Sequence, residues 1–154
     1  MSVIVQKAPF DVATELAKLY EGCHEIGAVA SFLGLVRDMQ PGEENKANQS
    51  LTLEHYPGMC ESMLEEIEAQ AHKRWSLYDS LIIHRYGHLK LGEPIVFVAT
   101  ASAHRESAFK ACHFLMDWLK TEAPFWKCEQ IGTHKRWIEA KESDKAAKTR
   151  WEQK

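Results

Sequence analysis

The stretch SLIIHRYGHLKLGEPIVFVATAS, residues 80–102, decides the class of fold. Its two ends, SLIIHRYGHL and EPIVFVATAS, are rich in β-branched and apolar residues and read as two strands. The joint KLGEP is too short for a crossover helix, so the two strands are expected to be antiparallel neighbours. Upstream, LTLEHY (51–56) alternates as a half-buried strand, and Pro57-Gly58 turns the chain into its longest predicted helix, Met59 to Arg74. Met63, Ile67 and Ala71 recur there at helical spacing and predict one sheet-facing stripe. Earlier still, VIVQ (3–6) reads as a short strand. Asp11 then opens a helix with Val12, Leu16 and Leu19 on one face, since its carboxylate can accept from a free first-turn amide.

The segment IGAVASFLGLVR (26–37) reads as a strand ending at Arg37, followed by the polar DMQPGEENKANQS (38–50), a loop by its Pro, Gly and Asn content, either lid or connection. Downstream, a third helix runs from about His104 to Thr121 with Phe109, Cys112, Met116 and Leu119 on one face, and Pro124 prevents its continuation. KRWIEA (135–140) reads as a last strand; ESDKAAKTRWEQK (142–154) is a polar tail, frayed or helical unless a partner holds it. The order β-α-β-β-α-β-β-α-β predicts an α+β domain, a mainly antiparallel sheet with three packed helices.

A chain of 154 residues, 45% hydrophobic and 27% charged, has the size and composition of one globular domain spanning 1–154. The net charge of −3 gives no support to a general nucleic-acid binder. An RNA binder would also need exposed aromatics along a basic face, whereas the five tryptophans are scattered: Trp75 closes a helix, Trp118 lies inside another and Trp137 in a strand. MSVIVQKAPFDV has no basic segment followed by a long apolar run, so neither a signal peptide nor a membrane span is read, and a cytoplasmic location is expected. Cys23, Cys60, Cys112 and Cys128 are far apart, form no C-x-x-C pair, and are expected to be free and mostly buried thiols. Among the eight histidines only His84 and His88 have H-x-x-x-H spacing, and they fall on strand and turn residues, so no metal site is read. Neither nucleotide fingerprint, G-x-G-x-x-G nor G-x-x-x-x-G-K-[ST], is present.

The chemistry rests with cations. His104 and Arg105 stand where a strand ends and a helix begins, a place where side chains and unpaired amides converge on an anion. Lys120 lies in the last turn of the third helix and Lys127 beyond the break at Pro124, so both ammonium groups reach one pocket if the chain folds back. Phe125 and Trp126 between them lower the local dielectric, and a desolvated lysine near other cations becomes available as a base or nucleophile. Arg37 can clamp a phosphate with paired donors, with Phe32 in the pocket floor, and Lys141 adds a further cation. Taken alone, each of these is more readily a solvated surface charge. Together they predict a positive pocket that selects a small anion or a protein carboxyl terminus over a long polyanion.

LTLEHYPGM (51–59), ATASAHR (99–105), FLMDWLKTEAPFWK (114–127) and RWIEAKES (136–143), in this order and spacing, resemble the large, catalytic subunit of molybdopterin synthase, and the resemblance runs from about Phe10 to Trp151. It implies an α/β-hammerhead fold and a homodimer of large subunits within a heterotetramer. A small ubiquitin-like sulfur-carrier subunit would bind at each end, its Gly-Gly tail entering a pocket as a thiocarboxylate. The implied substrate is cyclic pyranopterin monophosphate, and two sulfur transfers would give the molybdopterin dithiolene, with no dissociable cofactor or metal in this subunit. By matching motif, Lys120 and Lys127 are the implied catalytic pair. Lys120 would approach the carrier's terminal carbonyl as a base or an orienting group, and Lys127 would contact the pterin or stabilise developing negative charge. Arg37, His104 and Arg105 would receive the phosphate and hold the pterin, while Phe32 and Met116 shape the pocket or tail channel. The family often has Arg where this chain has Lys141, which keeps the charge, loses the bidentate fork, and leaves open which protomer's pocket it serves. A non-catalytic module that holds a carboxyl terminus or phosphorylated metabolite in the same pocket is the rival reading.

Overall fold

The computed structural model describes residues 1–42, 48–139 and 141–152. The middle of the predicted 38–50 loop, residues 43–47, lies outside the described residues, and with it the question of a lid. The elements are β1 (Ser2–Gln6), α1 (Val12–Tyr20), β2 (Ala28–Leu35), β3 (Gln49–His55), α2 (Met59–Arg74), β4 (Leu77–Arg85), β5 (Gly87–Lys90), β6 (Pro94–Ser102), α3 (Arg105–Thr121), β7 (Phe125–Ile131), β8 (His134–Ile138) and α4 (Glu142–Thr149). They form two four-stranded sheets, ordered β1-β4-β6-β2 and β5-β3-β7-β8. Every strand pair is antiparallel except β1 with β4. The α+β class with a mainly antiparallel arrangement is therefore as expected; the single sheet and the count of three helices are corrected to two sheets and four helices among the described residues.

The first sheet is covered on both faces, which explains why β4 and β6 read as continuous apolar runs. On one side Leu64, Ile67 and Ala71 of α2 and Ala108, Cys112, Leu115 and Leu119 of α3 pack against Ile82, Val96 and Val98. On the other, Leu16 and Leu19 of α1 meet Leu81, Ile83, Phe97 and Ala99. The Asp11 cap forms as expected, its Oδ1 accepting from the Thr14 amide at 2.7 Å. In α3 the buried stripe runs through Ala108, Cys112, Leu115 and Leu119; Phe109, expected on it, is 65% exposed, because it stands about 100° round the helix from Ala108.

The stretch read as one strand, SLIIHRYGHL, is two. β4 pairs antiparallel with β6, Ile82 opposite Val98, but the chain then bends at Tyr86 and Gly87 and β5 joins β3 in the second sheet. Gly87 supplies the bend at φ 92°, and an added Cβ there would meet the Lys7 stem at 3.6 Å. Arg85, 5% exposed, holds the bend: Nε and Nη2 donate to the Lys7 carbonyl at 3.0 and 2.9 Å, and Nη1 to the Pro94 carbonyl at 3.1 Å.

Three other expectations change. Gln49 and Ser50 belong to β3, not the loop, and are buried. FWKCEQI, read only as the stretch after a helix break, is strand β7. The described part of the tail, 141–152, is anchored within the chain: Trp151 packs edge-on to Trp75, Phe114 and His113 at centroid distances of 5.6, 5.6 and 5.8 Å, and its Nε1 donates to Asp117 Oδ2 at 2.7 Å. Because any side chain at Gly87 must adopt a left-handed backbone, Gly87→Ala is expected to cost about 1–2 kcal/mol of stability. A urea midpoint unchanged from the parent protein would overturn this account of the bend.

Candidate functional site

At the C-terminal end of α3, where the two sheets meet, lies a cleft of about 510 Å³. Each wall has a local cause. The last helical bond of α3, from the Glu122 amide to the Trp118 carbonyl at 2.8 Å, is followed by Pro124, and the chain reverses into β7. Strand alternation then turns Phe125, Lys127 and Glu129 inward, opposite His55, Leu53 and Leu51, while Trp126, 50% exposed, faces out. Lys120 reaches the same cleft from the last turn of α3. Arg37 enters from the end of β2, its neighbour Val36 pinned by an amide bond to the Glu93 carbonyl at 2.9 Å. Lys141 and Asp144 arrive from the start of α4.

Four of the expected site cations, Arg37, Lys120, Lys127 and Lys141, are thus brought to one cleft. Among the described residues none of their side-chain nitrogens makes a hydrogen bond or ion pair. Clustered cations without protein acceptors repel one another, and an anionic ligand relieves that repulsion. Lys127 is half-buried, its stem lying beside Leu53 and Ile138. Burial, reinforced by the Lys120 charge and opposed by Asp144, pulls its pKa down to about 8. Glu129 on the same wall does not neutralise the cluster, because Arg136 Nη2 already holds its Oε2 at 2.8 Å.

His84 forms the floor. Its ring stacks on Phe125 at 3.6 Å and 10°, and Nδ1 donates to the Arg85 carbonyl at 2.9 Å. Burial, opposed in part by the hydrogen bond to Arg85 and helped by the Lys127 and Lys120 charges, pulls its pKa down to about 3, so the ring is neutral at physiological pH.

The remaining expected residues lie elsewhere in the chain. His104 and Arg105 line a second concavity with Gly27, Ala28 and Glu106 at the N-terminal end of α3. The 16 residues from His104 to Lys120 put them about 24 Å away along the helix. Phe32 is 40% exposed on β2 outside the cleft lining, and Met116, 8% exposed, is a core residue of α3. Sequence reasoning missed His84, Phe125 as a stacking partner, and Asp144; the only signal for the first was a polar His-Arg pair closing an apolar strand. No group of three or more metal-ligating side chains stands together among the described residues, and none of their helices is long and apolar enough to cross a membrane. All four cysteines are unpaired, three of them buried.

Residues 5–122 match the family described as MoaE protein. The molybdopterin synthase catalytic subunit of Pseudomonas aeruginosa is 51% identical over 153 residues, 99% of this chain and 100% of that protein. Among solved structures, molybdopterin cofactor biosynthesis protein E from Burkholderia multivorans superposes with a TM-score of 0.81 at 48% identity, covering 98% of this chain and 96% of that one. A chain from the protein-protein complex of subunits 1 and 2 of the molybdopterin-converting factor of Helicobacter pylori superposes with a TM-score of 0.69 at 25% identity, covering 91% and 90%. With a family match over most of its length, near-complete relatives at about half identity and the same fold, this chain belongs to the molybdopterin synthase catalytic subunit family.

Proposed function

We propose that the chain, acting as one catalytic domain over residues 1–154, transfers sulfur from the C-terminal thiocarboxylate of a small ubiquitin-like carrier to cyclic pyranopterin monophosphate, two transfers giving the dithiolene of molybdopterin. The observation that carries this reading is the cleft in which Arg37, Lys120, Lys127 and Lys141 converge without acceptors of their own among the described residues. Both reactants are anionic, one through its cyclic phosphate and the other through its thiocarboxylate, and a cationic cleft offsets their repulsion while holding them together. In each transfer the carbon–sulfur bond to the carrier breaks and a carbon–sulfur bond to the pterin forms in place of a pterin carbon–oxygen bond, whose oxygen leaves as water or stays on the phosphate; water supplies the oxygen that leaves on the carrier as a carboxylate. The sulfur comes from the carrier, so the reaction draws on no thiol of this chain. The four unpaired cysteines are also in keeping with a reducing, cytoplasmic setting.

The two lysines divide the work. Lys120, exposed at the mouth, meets the carrier's terminal carbonyl and stabilises the oxyanion that develops there. Lys127, with its pKa at about 8, is the group from which a neutral amine is available near neutral pH, and it accepts the proton released during addition. Lys120→Ala and Lys127→Ala are each expected to keep the oligomer seen by size-exclusion chromatography and to lower single-turnover product formation by about 100-fold or more. Full carrier binding with no product from the wild-type protein would favour the binding-module reading instead. Below its pKa Lys127 is charged and cannot accept a proton, so the rate is expected to rise with pH through about 8 or somewhat higher, since a bound anion stabilises the ammonium. Lys127→Arg removes that rise; a rate that falls over the same range would overturn the base role.

His104 and Arg105, remote from the cleft within one chain, join it across a homodimer in this reading, as sites near a dimer interface require. Mixed dimers of Lys120→Ala and His104→Ala subunits are then expected to recover activity above either parent, through the one site that keeps both wild-type residues. No recovery would place His104 outside the reaction.

A further inference from the structure

We propose that His84 is a substrate-binding residue of the cleft, a neutral hydrogen-bond acceptor whose Nε2 receives an N–H from the ring edge of the pterin. The inference rests on the sulfur-transfer reading above and adds a specificity element to it. The Arg85 carbonyl can only accept, so the bond at 2.9 Å fixes the imidazole proton on Nδ1 and leaves a lone pair on Nε2. Among the described residues Nε2 has no protein partner, yet no buried side-chain nitrogen or oxygen lacks one. Nε2 is therefore an open part of a ring that is otherwise buried, and the space it opens to is the cleft.

The neighbouring groups give that placement its meaning. Arg37, Lys120, Lys127 and Lys141 only donate hydrogen bonds, and they suit phosphate and thiocarboxylate oxygens. A pterin also carries ring and amino N–H donors that no cation can satisfy. Of the carboxylates lining the cleft, Glu129 is engaged by Arg136, Glu139 is exposed at the rim, and Asp144 accepts from the Lys141 amide at 3.3 Å. His84 is the acceptor at the floor, and its stack on Phe125 holds the imidazole plane and so the direction of the lone pair. A ring with so low a proton affinity stays an acceptor through the whole working pH range. The amide of the carrier tail is the competing N–H source, but that tail brings mainly carbonyl and carboxylate oxygens, which the cations serve.

The test uses the complete synthase, with cyclic pyranopterin monophosphate and thiocarboxylated carrier varied separately. His84→Phe keeps a stacked ring and removes the acceptor; the KM for the pterin is expected to rise about tenfold with the KM for the carrier unchanged, and His84→Gln, which restores an acceptor, to recover most of it. An unchanged pterin KM in a folded His84→Phe protein would make His84 a stacking platform only, and a rise confined to the carrier would assign the bond to the tail. Either overturns the proposal. Should His84→Phe fail to fold, nitrogen NMR of histidine-labelled wild type decides: the His84 Nε2 resonance is expected to shift on adding the pterin alone, and an unmoved resonance refutes it. Absence of any product from wild type would instead sink the sulfur-transfer reading, a result separable from both.

Discussion

The buried guanidinium of Arg85 is the interaction on which the rest of the structure depends. A desolvated charge must be saturated with hydrogen bonds, and the acceptors it finds are the carbonyls of Lys7 and Pro94, brought from the end of β1 and the start of β6. Those two carbonyls meet at Arg85 because β1 and β6 flank β4, Gln6 opposite Arg85 and Val96 opposite His84, and at the next two residues the chain bends, with Gly87 in a backbone conformation that a side chain would strain. The bend releases β5 from the first sheet to pair with β3 in the second. One satisfied charge thus sets where one sheet stops and the other starts, and the cleft opens at that seam. His84, immediately before the bend, is turned onto Phe125 and becomes the cleft floor.

Around that seam, burial is distributed unevenly among the cations. Arg37, Lys120 and Lys141 keep their charged heads in water, where mutual repulsion is screened. Lys127 alone of the four is half-buried, because strand alternation places it on the inner face of β7 against Leu53, which is 1% exposed. The cost of desolvating an ammonium is expressed as lost proton affinity, which suits the group to chemistry near neutral pH. The Arg136–Glu129 pair on the neighbouring strands removes a carboxylate that would otherwise quench the positive field.

The C-terminal helix completes the cleft by an independent device. At 8 residues α4 is too short to stand alone in water and buries no residue of its own. Its anchors lie at and beyond its C-terminal end: Trp151 sits in the aromatic box of Trp75, Phe114 and His113 with its indole nitrogen on Asp117, and Lys148 pairs with Glu122 at 2.5 Å. Anchoring the far end of the helix to α3 fixes its near end, and so delivers Lys141 and Asp144 to the rim.

By itself the sequence determined the elements whose causes are local. The Asp11 cap, the span of α2 and the stop before Pro124 all follow from residues within a turn or two of each other, and so did the α+β class. The motifs around LKTEAPFWK likewise made the family and two of the cleft cations legible, because chemistry at a site constrains residue types at short spacing. Tertiary structure decided the rest. The split of SLIIHRYGHL was hidden because a strand buried on both faces carries no alternation to reveal where it changes partner. β7 was hidden because its pattern, Phe125 and Lys127 inward with Trp126 outward, inverts the usual polarity at a functional wall. The separation of His104 and Arg105 from the cleft, and the entry of His84 into it, depend on which ends of α3 and β4 lie at the seam. Helix length and sheet register fix that in space, and no short-range spacing encodes it.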